Sequence, residues 1–144
     1  MKIAIGSDHA GVEYKAAIIE FLKGKGFEVE DFGPRNGDSV DYPDYAHPVA
    51  SSIDKGEFKL GILLCGSGNG INMTANKYQG VRSALCWEVE IAEMARLHNN
   101  ANICTLPARY VSLEKAMDIV NIFLNTEFEG GRHENRVNKI SRCM

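Results

Sequence analysis

A cysteine that opens a glycine-rich stretch is the residue of this sequence most suited to chemistry. Cys65 ends the apolar run LGILLC and begins the stretch CGSGNG. Glycines between a strand and a helix let consecutive backbone N–H groups point into one concavity that binds negative charge. A thiol beside such donors can have a lowered pKa, and Ser67 could hydrogen-bond the thiolate. The predicted anion-binding turn consists of Gly66, Ser67, Gly68, Asn69 and Gly70.

Two plainer interpretations of the same stretch stay open. The glycines suit any tight strand-to-helix turn, and the cysteine suits a small apolar core position. A nucleotide loop is disfavoured, because the stretch lacks the G-K-[ST] ending of a P-loop and has Ile71 in place of the third glycine of the dinucleotide fingerprint. Ile71 also occupies the position at which a cysteine phosphatase needs arginine. The stretch therefore favours a small resting anion or a charge that develops during a reaction.

Two other turns carry acid–base groups. Asp8 and His9 follow the first predicted strand in GSDHAG, where a carboxylate beside a histidine suits hydroxyl binding or proton transfer. Asp8 is equally suited to a helix N-cap. His98, in RLHNNAN, follows Ile91 and Ala95 on an apolar helix face, where a histidine is often structural.

Basic residues cluster near the C-terminus of an otherwise acidic chain. The formal net charge is −3, but residues 130–144 carry four arginines and lysines against one glutamate. Arg132 and Arg136 are four apart, and guanidinium forks match phosphate oxygens. The alternative is a solvated basic face. Arg109 is a weaker candidate of the same kind, and Tyr42 could form a wall of the site. The pattern indicates a small anionic ligand and argues against nucleic acid.

Strand-like and helix-like patterns alternate along one domain, residues 1–144, and predict an α/β, Rossmann-like, doubly wound five-stranded parallel sheet in three layers. Predicted strands cover 2–6, 27–33, 60–65, 80–87 and 102–107. Predicted helices cover 10–26, 43–55 with a late start or kink at Pro48, 71–77, 88–98 and 112–125, and the basic C-terminal segment is also predicted to be helical. Ligands of such folds lie at the carboxyl ends of the strands. We expect GSDHAG, CGSGNG and the turn around His98 to meet there.

Cysteine content and hydrophobic runs indicate the cellular compartment of the protein. The chain has four cysteines without C-x-x-C spacing, and no apolar run approaches the roughly 20 residues of a membrane helix. The N-terminus shows no signal-peptide pattern. A cytoplasmic location, without membrane association, is therefore expected.

Five motifs in order, GSDHAG, SVDYPDYA, CGSGNGINMTANK, RLHNNANI and EGGRHENRV, resemble the family of type B ribose-5-phosphate isomerases and galactose-6-phosphate isomerase subunits. The resemblance covers nearly the whole chain. It implies interconversion of an aldose phosphate and a ketose phosphate without a cofactor or metal. It also implies a homodimer, sometimes a tetramer, with active sites at the subunit interface.

The resemblance also implies roles for individual residues. Cys65 corresponds to the general base, since the loop positions at which other members carry a glutamate hold no carboxylate here. Ser67 lies beside the base, and the amides of residues 66–70 form the anion hole. His98 opens the sugar ring, with Asp8 as helper. The phosphate binders are His9, Arg132 and Arg136. The residues implied to come from the partner subunit are His98, Asn99, Arg109, Arg132 and Arg136.

Two alternatives concern the ligand. Asn69 stands where many ribose-type members carry an aliphatic residue, so a six-carbon sugar phosphate such as allose 6-phosphate or galactose 6-phosphate is the rival substrate. A non-catalytic nucleotide- or flavin-binding module is the more remote alternative.

Overall fold

The computed structural model describes residues 1–141, and it confirms the predicted fold class. A five-stranded sheet, entirely parallel within the described residues, has the order β2-β1-β3-β5-β4. The strands are β1 (Lys2–Ser7), β2 (Glu28–Asp31), β3 (Leu60–Cys65), β4 (Ser83–Leu85) and β5 (Ile103–Pro107). The helices are α1 (Val12–Gly24), α2 (Tyr42–Asp54), α3 (Asn69–Ala75), α4 (Val89–Leu97), α5 (Leu113–Asn125) and α6 (Arg132–Asn138). Arg142, one of the four basic residues near the C-terminus, and Cys143, one of the four cysteines, lie outside the described residues.

The sheet lies between two separate apolar cores, because successive strand residues point to opposite faces. Ile3 and Ile5 of β1 pack with α1, α4 and α5 on one face. Ala4 of the same strand packs with α2 and α3 on the other face. Every residue of β3 is buried, as its unbroken apolar sequence predicts for a central parallel strand.

Three local predictions need correction. The edge strands are shorter than predicted, because β2 covers four residues and β4 only three. Helix α2 starts at Tyr42, ahead of the predicted start, because Pro43 sits in the first turn, where the N–H that proline lacks would have no helical partner. Pro48 is accommodated inside this helix.

The buried face of α1 also differs from the predicted one. Ala16, whose helical spacing with Val12, Ile19 and Leu22 predicts a core position, is exposed, whereas Lys15 is buried with 2% of its surface accessible. The Lys15 ammonium group donates hydrogen bonds to Asp31 Oδ1 at 2.6 Å and to the carbonyl oxygen of Pro34 at 2.7 Å. An ion pair between a buried ammonium group and a carboxylate that is 23% exposed thus joins α1 to the end of β2.

The order of strands fixes where the functional loops lie. The chain leaves β1 toward β2 on one side and later returns to β3 on the other, so the switch point falls between β1 and β3. The loops GSDHAG and CGSGNG therefore flank one crevice at the carboxyl edge of the sheet, as predicted.

Candidate active site

The glycine loop brings backbone amides around the sulfur of Cys65. Gly68 has φ +77°, a left-handed conformation that favours glycine, and a Cβ there would clash with the Leu85 side chain. This turn starts α3 directly after β3. The N–H groups of Ile71, Gly68 and Gly70 consequently face the thiol and favour its ionised form. Ile71 was not among the residues predicted for the turn.

Burial and the loop amides have opposite effects on the pKa of Cys65. Cys65 is only 5% exposed, and desolvation raises the pKa of its thiol above the ordinary value, with the charge of Asp8 adding to the rise. The three amides lower the pKa but do not cancel the effect of burial. The sequence-based suggestion of a lowered pKa is therefore wrong for the ligand-free protein, because burial outweighs the loop donors.

Ser67 and Asn69 are joined by a hydrogen bond within the loop. The Asn69 backbone N–H donates to Ser67 Oγ at 3.3 Å, and both side chains are exposed. These two residues also line an open cavity of about 310 Å³ together with Leu85, Trp87, Pro107 and Tyr110. The Ser67 hydroxyl faces solvent beside the loop and is accessible to a ligand.

Asp8 and His9 are fixed in the crevice by the backbone. Asp8 caps a short 3₁₀ turn, His9–Gly11, by accepting a hydrogen bond from the Ala10 N–H at 2.9 Å, so the cap interpretation is correct. Its carboxylate nevertheless interacts with the Cys65 thiol. His9 Nδ1 accepts from the Val40 N–H at 3.1 Å. In the neutral ring the proton therefore lies on Nε2, which can donate to an anion.

Tyr42 and Arg109 complete this side of the loop. A Cβ on Gly70 would lie 2.5 Å from the Tyr42 ring, so the ring packs directly on that glycine. The Arg109 N–H donates to the Gly66 carbonyl at 3.0 Å, and its guanidinium lies over Gly66. The resemblance assigned Arg109 to the partner's site, whereas the structure places it against the loop of its own chain.

His98 does not join this group, contrary to the expectation that its turn lies at the same edge. Helix α4 runs antiparallel to the strands, and His98 caps its C-terminal end before the amino end of β5. Asn99 follows it at the same edge. Six residues of parallel strand span about 17 Å, so this edge is remote from Cys65 within one chain.

A second cluster forms around His98. Its ring stacks on His133 of α6, with centroids 4.2 Å apart and ring planes inclined by 13°. Glu129 Oε2 lies 3.8 Å from His98 Nε2 and 3.9 Å from His133 Nε2. Sequence reasoning missed His133 and Glu129, although their spacing of four residues, in the segment that carries Arg132, was a usable signal.

Arg132 and Arg136 extend from the same helix into solvent. Positive φ values at Gly130 and Gly131 turn the chain before α6, and the helix then places both arginines one turn apart. Both side chains are exposed. They belong to the His98 cluster rather than to the Cys65 loop.

The trio of His98, Glu129 and His133 has the composition of a metal site but a different geometry. Its ligand atoms lie within 4.8 Å of one another. A metal lies near the plane of each imidazole that binds it, about 2 Å from the nitrogen. Two nearly parallel stacked rings cannot both meet that condition, so an ion would require the stack to open.

The chain is similar to known isomerases over almost its whole length. The chain matches the Ribose/Galactose Isomerase family model over residues 3–140. The chain belongs to this family of isomerases. It is 43% identical to ribose-5-phosphate isomerase B of Escherichia coli over 140 residues, covering 97% of this chain and 94% of that protein.

Solved structures agree. A ribose 5-phosphate isomerase of Thermotoga maritima is 54% identical and superposes with a TM-score of 0.95, covering 97% of each chain. Ribose-5-phosphate isomerase B of Mycoplasma genitalium, solved with bound ribulose-5-phosphate, is 46% identical with a TM-score of 0.94, over 98% of this chain and 94% of that one. No helix in residues 1–141 is long and apolar enough to cross a membrane.

Proposed function

We propose that this protein interconverts D-ribose 5-phosphate and D-ribulose 5-phosphate through an enediolate, with Cys65 as the general base. The observation that carries the proposal is the thiol held against three inward-facing amides at the switch point of the sheet. The relatives named for this activity share the fold and most of the chain. The free thiols of Cys65, Cys86 and Cys104 favour the reducing cytoplasm as its location.

The proton transfer moves negative charge from the Cys65 sulfur to a sugar oxygen beside the same loop amides. The Cys65 thiolate takes the proton from C2, the C–H electrons form the C1–C2 double bond, and negative charge appears on O1. The proton then returns to C1, while the proton of the O2 hydroxyl passes to O1, so that O2 becomes the carbonyl oxygen and O1 the hydroxyl oxygen. Amides that favoured the thiolate can then stabilise the enediolate, an effect worth about 2.7–4 kcal/mol per donor in other enzymes.

The raised pKa of Cys65 has two opposite effects on this step. It reduces the fraction of thiolate at neutral pH, since burial disfavours the charged form. It also makes the thiolate that does form a stronger base toward carbon, as Brønsted behaviour requires. A buried thiol with nearby amides thus suits removal of a weakly acidic C–H proton better than an exposed one.

The remaining groups reach the site from a second subunit in our proposal. His98, Asn99, Arg132 and Arg136 lie at the sheet edge remote from Cys65, so one chain cannot assemble both halves. A homodimer, or a tetramer built from it, would place these residues opposite His9 of the other chain. His9, Arg132 and Arg136 would then hold the phosphate, while His98, helped by Asp8, moves the proton that opens the furanose ring.

Removing the thiol tests the base directly. Cys65→Ala and Cys65→Ser should abolish turnover and retain binding of ribitol 5-phosphate, an analogue without a carbonyl group, by calorimetry. Cys104→Ala, which removes a buried thiol away from the loop, is the matched control. Full activity of Cys65→Ala would refute the assignment. Activity lost in chelator and restored by a divalent ion would refute the metal-free mechanism.

Substrate choice needs a separate comparison. Asn69 is exposed and lines the 310 Å³ cavity beside the loop, which leaves room for a longer sugar. We expect kcat/KM to be higher for ribose 5-phosphate than for allose 6-phosphate or galactose 6-phosphate. The reverse order would favour the six-carbon alternative. Bound flavin absorbance in the purified protein, without isomerase activity, would favour the nucleotide-binding alternative.

A further inference from the structure

The His98–His133 stack joins two parts of the chain that have different tasks in the proposed function. His98 ends α4, and His133 lies in the first turn of α6 directly after Arg132. The Glu129 N–H also donates to the Leu97 carbonyl at 3.1 Å, which ties the segment before α6 to the end of α4. The stack and this hydrogen bond therefore connect His98, the proposed acid–base residue, to the helix that carries Arg132 and Arg136, the proposed phosphate binders.

His133 is an unusual residue for a purely structural contact. Its side chain is only 8% exposed, whereas His98 is 38% exposed. Its Nε2 atom is buried without a hydrogen-bond partner, and Glu129 Oε2 at 3.9 Å is too far to provide one. A buried polar atom without a partner destabilises the fold. An apolar ring would avoid that penalty, so a role for the histidine ring beyond packing is indicated.

We infer that His133 is a positioning residue for His98. The face of its ring fixes the plane of the His98 imidazole, and Glu129 lies where a small tilt of either ring lets it accept a hydrogen bond from Nε2. Because α6 also carries Arg132 and Arg136, capture of the phosphate would hold α6 still and align the ring-opening group with it. This inference rests on the proposed function of His98.

Direct phosphate binding by His133 is the competing role. In this structure its Nε2 is shielded from solvent, whereas the neighbouring Arg132 and Arg136 are exposed. Its ring face is covered by His98. Both observations favour an effect through His98 over contact with the ligand.

The chemistry of the two sugars provides a selective test. Ribose 5-phosphate closes to a furanose, whereas ribulose 5-phosphate cannot, since O5 carries the phosphate and the ketone is at C2. Ring opening is therefore needed only when the aldose is the starting material. An enzyme without effective ring opening must wait for spontaneous opening in solution.

We would compare His133→Ala, His133→Phe and His98→Asn with the wild type. With ribose 5-phosphate, the rate of His133→Ala should level off as enzyme concentration rises, as for His98→Asn. With ribulose 5-phosphate its initial rate should stay proportional to enzyme. His133→Phe keeps a flat ring on His98 but lacks Nε2, so it should restore proportionality only in part; full restoration would limit the role of His133 to packing and overturn the inference. Equal losses in both directions, together with weaker binding of inorganic phosphate, would show that His133 is a phosphate ligand instead.

A spectroscopic measurement separates this inference from the proposed function. The ring ¹⁵N signals of His98 should broaden or shift in His133→Ala and remain close to wild type in His133→Phe. Unchanged His98 signals in a folded His133→Ala protein would overturn the inference, even if isomerase activity is confirmed. If His133→Ala does not fold, His133→Leu, which fills the space without a planar ring, replaces it in both experiments. Absence of activity in the wild type would instead refute the proposed function.

Discussion

At the scale of single residues, the environment of Cys65 sets two effects against each other. Its position at the end of a fully buried strand removes water from the sulfur, and the turn that follows aims three N–H groups at it. Burial prevails, so the thiol is protonated at rest. The thiolate form of Cys65 therefore becomes populated only as the solution becomes alkaline or as a bound ligand changes the surroundings of the sulfur.

This balance predicts the pH dependence of the rate. Since the base acts as thiolate and the pKa of Cys65 is raised, log(kcat/KM) should climb through the neutral range and into the alkaline range. The slope should be about one per pH unit below the pKa of the thiol. Steady-state rates from pH 6 to 10 would show this limb.

Alkylation offers an independent check of the same group. The rate of iodoacetamide modification of Cys65 should follow the same curve, with Cys65→Ala as the control for other thiols. A kcat/KM that is already flat from pH 7 upward would contradict the raised pKa. A flat activity profile combined with a steep alkylation profile would point to a different base.

The sequence indicates candidate site residues more readily than it indicates the burial and contacts of their side chains. Cys65, Asp8 and His9 are recognisable as candidates because they lie at or just after the end of a predicted strand, and the glycines that follow Cys65 mark a turn. The net effect on the thiol pKa is not readable, because it depends on how much water the packed core excludes. His133 escaped notice because its contact with His98 joins residues 35 positions apart, as their numbers show.

At the scale of elements, the ion pair between the buried Lys15 ammonium group and the partly buried Asp31 carboxylate holds the layer formed by α1 against the sheet. Asp31 Oδ1 accepts from the lysine at 2.6 Å and from the Gly33 N–H at 2.8 Å. Gly33 in turn accepts from the Ser7 N–H at 3.1 Å, one residue before Asp8. The pair therefore stabilises the first crevice loop from behind.

Breaking this pair should destabilise the fold strongly. Asp31→Ala leaves a buried ammonium group without its carboxylate, which is expected to lower the free energy of unfolding by about 3 kcal/mol. Replacing both residues, as in Lys15→Met with Asp31→Leu, should recover most of the loss, because the charge is then gone. Urea denaturation followed by circular dichroism measures both.

The exposed pair of Lys115 and Glu88 is the matched control. Its side chains are 40% and 52% exposed, so Glu88→Ala should change stability by less than about 1 kcal/mol. A loss as large as that of Asp31→Ala would mean that burial is not the source of the effect.

The elements themselves were largely predictable. The limits of β3 and the start of α5 at the Ser112 cap follow from apolar runs and capping chemistry. The burial of Lys15 was not predictable, because a lysine within a helical pattern is read as solvated until its partner is known. The edge strands were overestimated, because pairing on one side alone ends them early.

At the scale of the whole molecule, the proposed site is divided between opposite edges of the sheet. Cys65 and His9 lie at the carboxyl edge, while His98 and α6 lie at the amino edge. The family resemblance predicts which residues belong to the site, but periodicity does not report which edge each one occupies. Only the direction of α4 relative to the strands determines that.

Subunit mixing tests this division. Cys65→Ala should be inactive with ribose 5-phosphate, and His98→Asn should be limited to the rate of spontaneous ring opening, which is small beside the wild-type rate at high enzyme concentration. If the protein is the proposed homodimer, random pairing after joint unfolding and refolding gives half mixed dimers, each with one intact site, so about 25% of wild-type activity should return. No recovery, in mixtures shown by mass spectrometry to contain mixed dimers, would place both residues in a site formed by one chain.

The proposed division of the site between two subunits also has a genetic consequence. A chain that carries Cys65→Ala alone spoils one site of a mixed dimer and leaves the other intact. A chain that carries both Cys65→Ala and His98→Asn contributes a defect to each of the two sites, so a wild-type partner cannot rescue either. Co-expressed with the wild-type gene, the double variant should therefore act as a dominant inhibitor, whereas each single variant should behave as recessive.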